Sequence, residues 1–183
     1  MQASYDIKIP KERVAVLIGV KGIVKKNLQK ATETIIDVDS SEGLVTVSGE
    51  DALKLMDAQS IIKAIARGFN PELAMLLLKQ DYCFELIDLK LIARNQNDLE
   101  RLKGRIIGAD GKSRRTIETL TETYISVYGK TVALIGEITM VQIAKKAVAL
   151  LVDGSAHSHV FKYLETQRRK LKQQDFESQH KGL

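Results

Sequence analysis

Leu17-Ile18-Gly19-Val20-Lys21-Gly22 and, 89 residues further on, Ile106-Ile107-Gly108-Ala109-Asp110-Gly111 decide how this chain of 183 residues is organised. Laying Gly19 on Gly108 also lays Gly22 on Gly111 and Thr32-Glu33-Thr34 on the identical Thr121-Glu122-Thr123. At the same offset Ile36 and Val38 fall on Ile125 and Val127. Dropping two residues from a turn in the first half then sets Val45, Val47 and Gly49 on Val132, Leu134 and Gly136. Glycines, apolar positions and the triplet agree at nearly one register, which points to two copies of one small domain.

Local signals give both copies the same order of elements. Ser4 to Ile9 alternates, with Tyr5, Ile7 and Ile9 on one face, and predicts a half-buried strand. Pro10 stops it and suits the start of a helix over Lys11 to Ile18. After the glycine break a second short helix runs to about Ala31. Ile35 to Asp39 and Leu44 to Ser48 read as a hairpin around Gly43. Leu53, Met56, Ile61, Ile62 and Ile65 mark a long helix from Glu50 to Arg67, ended by Gly68.

The second copy predicts a strand over Phe84 to Ile92, a helix over Asp98 to Ile107, and another from the break to Glu122. A hairpin of Tyr124 to Tyr128 and Thr131 to Ile135 follows around Gly129, then a helix from Ile138 to about Val152 that stops before Gly154. The expected fold is α+β: two β-α-α-β-β-α domains, each a three-stranded sheet packed on helices. They are assigned to residues 1–69 and 82–154. Residues 70–81, with Pro71 and the run Leu73, Leu76, Leu77, predict a connecting helix packed on one or both domains. Residues 155–183 predict a basic helix over Lys162 to Lys172, with Arg168, Arg169 and Lys170, that frays from Gln173 to Leu183. Such a helix serves either as a solvated tail or as an extra contact to RNA or a partner.

Composition narrows the class. With 44% hydrophobic and 28% charged residues the chain can form a packed core, and with 5% aromatics and no Trp that core is aliphatic. Lys and Arg number 28 against 23 acidic residues, a net charge of +5 compatible with a polyanionic partner. The single cysteine, Cys83, excludes an internal disulfide and a multi-cysteine zinc site, and its apolar surroundings predict a buried packing residue. The N-terminus lacks the order of a secretory signal and no apolar run reaches the roughly 18 residues of a membrane span, so a cytoplasmic protein is expected.

No catalytic arrangement stands out, and no cofactor or metal is expected. Gly111-Lys112-Ser113 looks like the end of a phosphate-binding P-loop, but that motif needs a glycine where Ile106 stands. His157 and His159 have no acidic or cysteine cluster beside them and are expected to be surface histidines.

The glycine breaks carry the chemistry. A glycine at each end lets a sugar-phosphate chain approach the backbone with no Cβ in the way. The second glycine opens a helix, whose free N–H groups and positive end suit a phosphate. Basic residues gather there: Lys21, Lys25, Lys26 and Lys30 at the first break, Lys103, Arg105, Lys112, Arg114 and Arg115 around the second.

Two Gly-x-x-Gly turns, each behind an Ile-Gly, between short helices and followed by a hairpin and a helix, resemble the signature turn of type I KH domains. More narrowly, Lys103 to Gly108, Thr116-Ile117-Glu118 and Thr121-Glu122-Thr123 resemble the partner-of-Nob-one pre-ribosomal RNA processing factors of archaea and eukaryotes. That resemblance implies binding of single-stranded RNA, the small-subunit rRNA or its precursor near the 3′ end. It also implies positioning of that RNA for a separate nuclease or methylase. The implied RNA-binding residues are Gly19, Val20, Lys21, Gly22, Lys25 and Lys26 in the first copy. In the second they are Arg105, Ile107, Gly108, Ala109, Asp110, Gly111, Lys112, Ser113, Arg114 and Arg115. It further implies an aliphatic groove for bases, lined by Ile18, Leu28, Ile36 and Val38, and by Ile107, Ile117, Ile125 and Val127.

This sequence departs from the family twice. Asp110 puts a negative charge in a turn that usually carries a basic or small residue, and Lys25 and Arg114 stand at a position that is typically apolar. A second reading therefore stands beside the first: a KH-fold scaffold that recognises a protein, such as a translation initiation factor, with incidental RNA contact. Neither reading involves a membrane.

Overall fold

Strand β1 (Ala3–Lys8) is cut off by Pro10, which has no amide hydrogen to donate and stands at the N-cap of helix α1 (Lys11–Ile18). Ile7 is buried on the expected face, but Tyr5 is exposed. Helix α2 (Ile23–Thr32) follows the glycine break, then strands β2 (Ile35–Asp39) and β3 (Leu44–Gly49). The antiparallel sheet runs β1-β3-β2, with Val45 between Ile7 and Val38. Asp39 closes the hairpin by accepting from the Ser41 hydroxyl and the Ser41 and Glu42 amides, and these bonds hold its carboxyl below the usual range.

The computed structural model describes residues 3–180, and the chain divides into two units, Met1–Phe84 and Glu85–Leu183. In the first, helix α3 (Ala52–Ala66) begins where Asp51 accepts from the Leu53 and Lys54 amides. That start sets its phase. Leu55, Ala58, Ile61, Ile62 and Ile65 are buried, whereas Leu53 and Met56, expected on the same stripe, are 72% and 60% exposed. Gly68, at φ +100°, ends the helix with the paired bonds Gly68 N–H to Ile65 O and Phe69 N–H to Ala64 O.

The predicted connecting helix is shorter than expected. Helix α4 covers only Pro71–Ala74, and Met75–Leu78 tightens into a 3₁₀ turn, with both parts lying against α3.

The second unit, whose first strand begins just before the division, repeats the plan. Strand β4 spans Tyr82–Asp88, earlier than the expected Phe84 to Ile92, because Asp88 accepts from the Lys90 amide and turns the chain into a 3₁₀ segment at Leu89–Leu91. Cys83 on this strand is half-buried rather than buried. Helices α5 (Gln96–Ile107) and α6 (Lys112–Thr121), strands β5 (Tyr124–Tyr128) and β6 (Thr131–Glu137), and helix α7 (Ile138–Val152) follow, with sheet order β4-β6-β5. Helix α7 ends as α3 does, at Gly154, with Ser155 N–H bonded to Leu150 O. Helix α8 (His157–His180) is longer than the predicted Lys162 to Lys172, and Lys181 to Leu183 lie outside the described residues. Val160 and Leu164 anchor it, fully buried, on α6 and α7.

The repeated Thr-Glu-Thr triplet is a helix stop. Thr32 Oγ1 donates to Leu28 O and accepts from Thr34 Oγ1, while Glu33 between them turns left-handed at φ +50°. Thr121 and Thr123 repeat the bonds around Glu122 at φ +52°. Each left-handed glutamate costs on the order of 1–2 kcal/mol. The buried hydroxyl pair offsets that cost by satisfying groups that could not otherwise be buried. Gly136 leaves room for the second pair, since a Cβ there would lie 2.9 Å from Thr123 Cγ2.

Lys145 on α7 donates to Glu85 on β4 at 2.9 Å, which holds the Glu85 carboxyl below its ordinary value. A depressed carboxylate contributes stability above its unfolded pKa, and that contribution disappears as pH falls through the folded value. Glu85→Gln is therefore expected to lower Tm slightly at pH 7, by no more than about 1 kcal/mol of stability for so exposed a pair. The difference begins to close at about pH 4.3 and is gone only below the lower folded value. Thermal melts of both proteins from pH 7 to pH 3 check this.

Candidate nucleic-acid interface

The two glycine breaks have the same shape. Gly19 (φ +72°, ψ 173°) and Gly108 (φ +73°, ψ 173°) lie in a region of backbone space that is essentially closed to other residues. The next three residues make one 3₁₀ turn, closed by Gly22 N–H to Gly19 O and Gly111 N–H to Gly108 O, both 3.1 Å. Lys21 and Asp110 are left-handed at φ +53° and +50°, and Gly22 and Gly111 at φ +75° and +74°. Asp tolerates this conformation better than most residues, which gives Asp110 a conformational reason to be there whatever its charge does.

The glycines of each pair do different work. A Cβ on Gly19 would lie 2.4 Å from Val24 Cγ2, and one on Gly108 would lie 2.7 Å from the Ser113 backbone nitrogen. The first glycine thus lets the following helix close against the turn. A Cβ on Gly22 would meet nothing within 4 Å, and on Gly111 only the Arg115 guanidinium at 3.1 Å. The second glycine leaves bare backbone facing open space. No side chain caps α2 or α6, so the helix starts behind the turns keep their electropositive ends uncovered. Val20 is 78% exposed, and Lys21, Ala109 and Asp110 are exposed as well.

The residues predicted to bind RNA are not all exposed beside the turns. Lys21, Lys26, Lys112 and Arg115 are exposed at or just behind the turns, and Lys25 is half-buried. Ser113 is 2% exposed, its hydroxyl buried without a hydrogen-bond partner, because a small side chain is needed where Gly108 closes on α6. It is a packing residue. Arg114 lies 3.6 Å from Glu118, whose other oxygen accepts from the Ile125 amide. Arg105 is committed elsewhere: Nε donates to Leu151 O and Nη2 to Ser155 O, at 2.9 and 2.7 Å, across the end of α7.

Arg13 does the same in the first unit, donating to Ile65 O and Phe69 O at the end of α3. Sequence reasoning passed over Arg13, and only the three-dimensional return of the last helix reveals its task. His157, expected at the surface, is half-buried and donates through Nε2 to Arg105 O at 2.8 Å, with its ring edge-on to Phe161.

The expected aliphatic groove is also narrower. Leu28, Ile36, Ile117 and Ile125 are between 0% and 4% exposed and belong to the cores. Leu28 forms one wall of a cavity of about 480 Å³ between α2, α3 and α4, with Ile23, Val24 and Ile61. Ile18, Val38, Ile107 and Val127 are half-buried, with part of each side chain at the surface.

Residues 4–64 match the KH domain, and residues 83–169 match the eukaryotic type (type I) KH domain found as the second such domain of PNO1. A KH domain-containing protein of Methanocaldococcus jannaschii is 48% identical over 93% of this chain and 77% of its own length. The chain belongs to the KH-domain family, with the PNO1/Dim2 proteins. Among its KH relatives, the pre-rRNA-processing protein PNO1 of Debaryomyces hansenii is 30% identical over 82% of this chain. The chain spans about half the length of such eukaryotic relatives (56% of that one).

Two solved structures match closely. A protein of unknown function from Aeropyrum pernix superposes with a TM-score of 0.92 at 38% identity, covering 100% of both chains. Dim2p from Pyrococcus horikoshii, solved in an a/eIF2alpha–aDim2p–rRNA complex, superposes with a TM-score of 0.86 at 43% identity over 92% of this chain and 96% of its own. Among the described residues, no helix is long and apolar enough to cross a membrane.

Proposed function

We propose that this KH protein is a non-catalytic, cytoplasmic factor that binds single-stranded RNA and serves small-subunit rRNA processing, holding the rRNA or its precursor near the 3′ end. The observation that carries the reading is the bare, open backbone at Gly22 and Gly111, each at the uncapped start of a helix. KH turns of this kind clamp about four nucleotides by the backbone. The pre-rRNA-processing relatives and the rRNA-containing complex of the Pyrococcus neighbour support the choice of RNA. The proposed contacts are Gly19, Val20, Lys21, Gly22, Lys25 and Lys26 in the first module. In the second they are Ile107, Gly108, Ala109, Asp110, Gly111, Lys112 and Arg115, with Arg105 and Ser113 shaping the turn from behind.

Asp110 and the translation-factor subunit in that same complex favour a second reading, in which a module recognises a protein and RNA contact is incidental. Salt separates the two. Phosphate contacts on a single strand lower log K by about 0.7 per contact for each tenfold rise in salt. Fluorescence anisotropy with a short single-stranded RNA from 50 to 300 mM salt is expected to give a log–log slope of roughly −2, for three contacts. A flat line would favour the scaffold.

A further inference from the structure

Helix α8 contributes more than a cover to the second unit. Its inner side is held by Val160 and Leu164, and its outer turns stand beside α6, the helix that starts at Gly111. Two surface depressions lie in the crevice between them. One is lined by Lys112, Arg115, Thr119 and Leu120 of α6 and by Glu165 of α8. The other is lined by the same Leu120 and Glu165 and by Arg168, Arg169 and Lys172. Shared walls make them one trough, which leaves the Gly-x-x-Gly turn and follows α6 for about 10 Å.

Five cations line it against the Glu165 carboxylate, none of the five ion-paired among the described residues; Arg168 and Lys172 also border a neighbouring depression that holds Glu122 and Glu137. A solvated helix face has no reason to align its basic residues with those of a neighbouring helix. Here the two sets line adjoining depressions that share Leu120 and Glu165, the first beginning at Lys112 just after the turn.

We propose that the crevice between α6 and α8 is a second RNA-backbone site, in which Arg168, Arg169 and Lys172 hold the phosphates of the strand after it leaves the second Gly-x-x-Gly turn. The site rests on the RNA-binding reading above and extends it: the second module reads a longer single strand than one KH groove accommodates. The trough is shallow, and its polar groups are five cations, the Thr116 and Thr119 hydroxyls and the single Glu165 carboxylate, a set dominated by groups that recognise phosphate rather than bases. It therefore adds affinity and register without adding sequence preference.

The test uses the full chain with two single-stranded RNAs, one of about five nucleotides and one of about twelve. The wild type is expected to bind the longer RNA more tightly, with a steeper salt slope. Arg168→Ala, Arg169→Ala and Lys172→Ala together should lower affinity for the longer RNA about tenfold and flatten its slope by about two, at 0.7 per contact. Affinity for the short RNA should not change. Arg169→Glu alone, at an exposed position, repeats the direction with little risk to the fold. Lys170→Ala removes the same charge from a residue outside the trough and should change neither RNA. If Lys170→Ala costs as much as the trough variants, or if the triple variant keeps the full advantage of the longer RNA, the trough is not a site. If the wild type fails to bind the short RNA at all, the fault lies with the turn, and the two failures are told apart.

Discussion

Gly108→Ala should lower the stability of the protein by about 3 kcal/mol or more, whereas Gly111→Ala, three residues away in the same turn, should cost about 1–2 kcal/mol. Gly108 holds ψ 173° at positive φ, a conformation reserved almost wholly for glycine, and its missing Cβ would sit 2.7 Å from the Ser113 backbone nitrogen. Relief would require the start of α6 to move. Gly111 is in the ordinary left-handed region and meets only the flexible end of Arg115. Urea unfolding of the two variants measures the contrast. Equal losses would mean that the close approach of the turn to α6 does not support the fold.

The other large effect concerns affinity. Ala109 is exposed beside Asp110, so Ala109→Asp places two carboxylates at the mouth of α6 without touching the core. Each charge within about 5 Å of a phosphate costs roughly 1 kcal/mol in a watery setting, or about fivefold. Ala109→Asp is therefore expected to weaken binding of a short single-stranded RNA at least fivefold. Asp110→Asn should strengthen it by a similar factor, since Asn also tolerates the left-handed turn. The order Asp110→Asn tightest, wild type, then Ala109→Asp is what the clamp requires. Identical affinities at moderate salt would remove the second turn from the interface and leave its acidic residue to a protein partner.

Most of the fold was legible because the features that repeat are those physics restricts most. A glycine needed for a forbidden backbone angle cannot be exchanged, so Gly19 and Gly108 keep their places. The Thr-Glu-Thr triplet survived because a left-handed glutamate needs its flanking hydroxyl pair. Helix phase was less visible: Leu53 and Met56 fit a stripe by spacing, yet Asp51 fixes the start of α3 so that Leu55 and Ala58 face inward. The short α4 was hidden because four apolar residues in a row suit either helix type.

At the site, the turns and their exposed lysines could be found from local sequence. The fate of Arg105 and Ser113 could not, because it depends on α7 returning to meet α5 and on how closely α6 begins behind Gly108. The alignment of Arg168 and Arg169 with Lys112 and Arg115 is likewise a product of packing, since more than fifty residues separate them along the chain.

Arg13 and Arg105 do one job from two addresses. Counted back from their glycines they stand one helical turn apart, yet each grips the matching pair of carbonyls at the close of the last helix. An alignment of the halves sets Arg13 against Leu102 and Arg105 against Val16, and scores no likeness at either column. What the two halves have in common here is thus a pair of helix-end oxygens that asks for a guanidinium, and either of two successive turns of the facing helix can supply it.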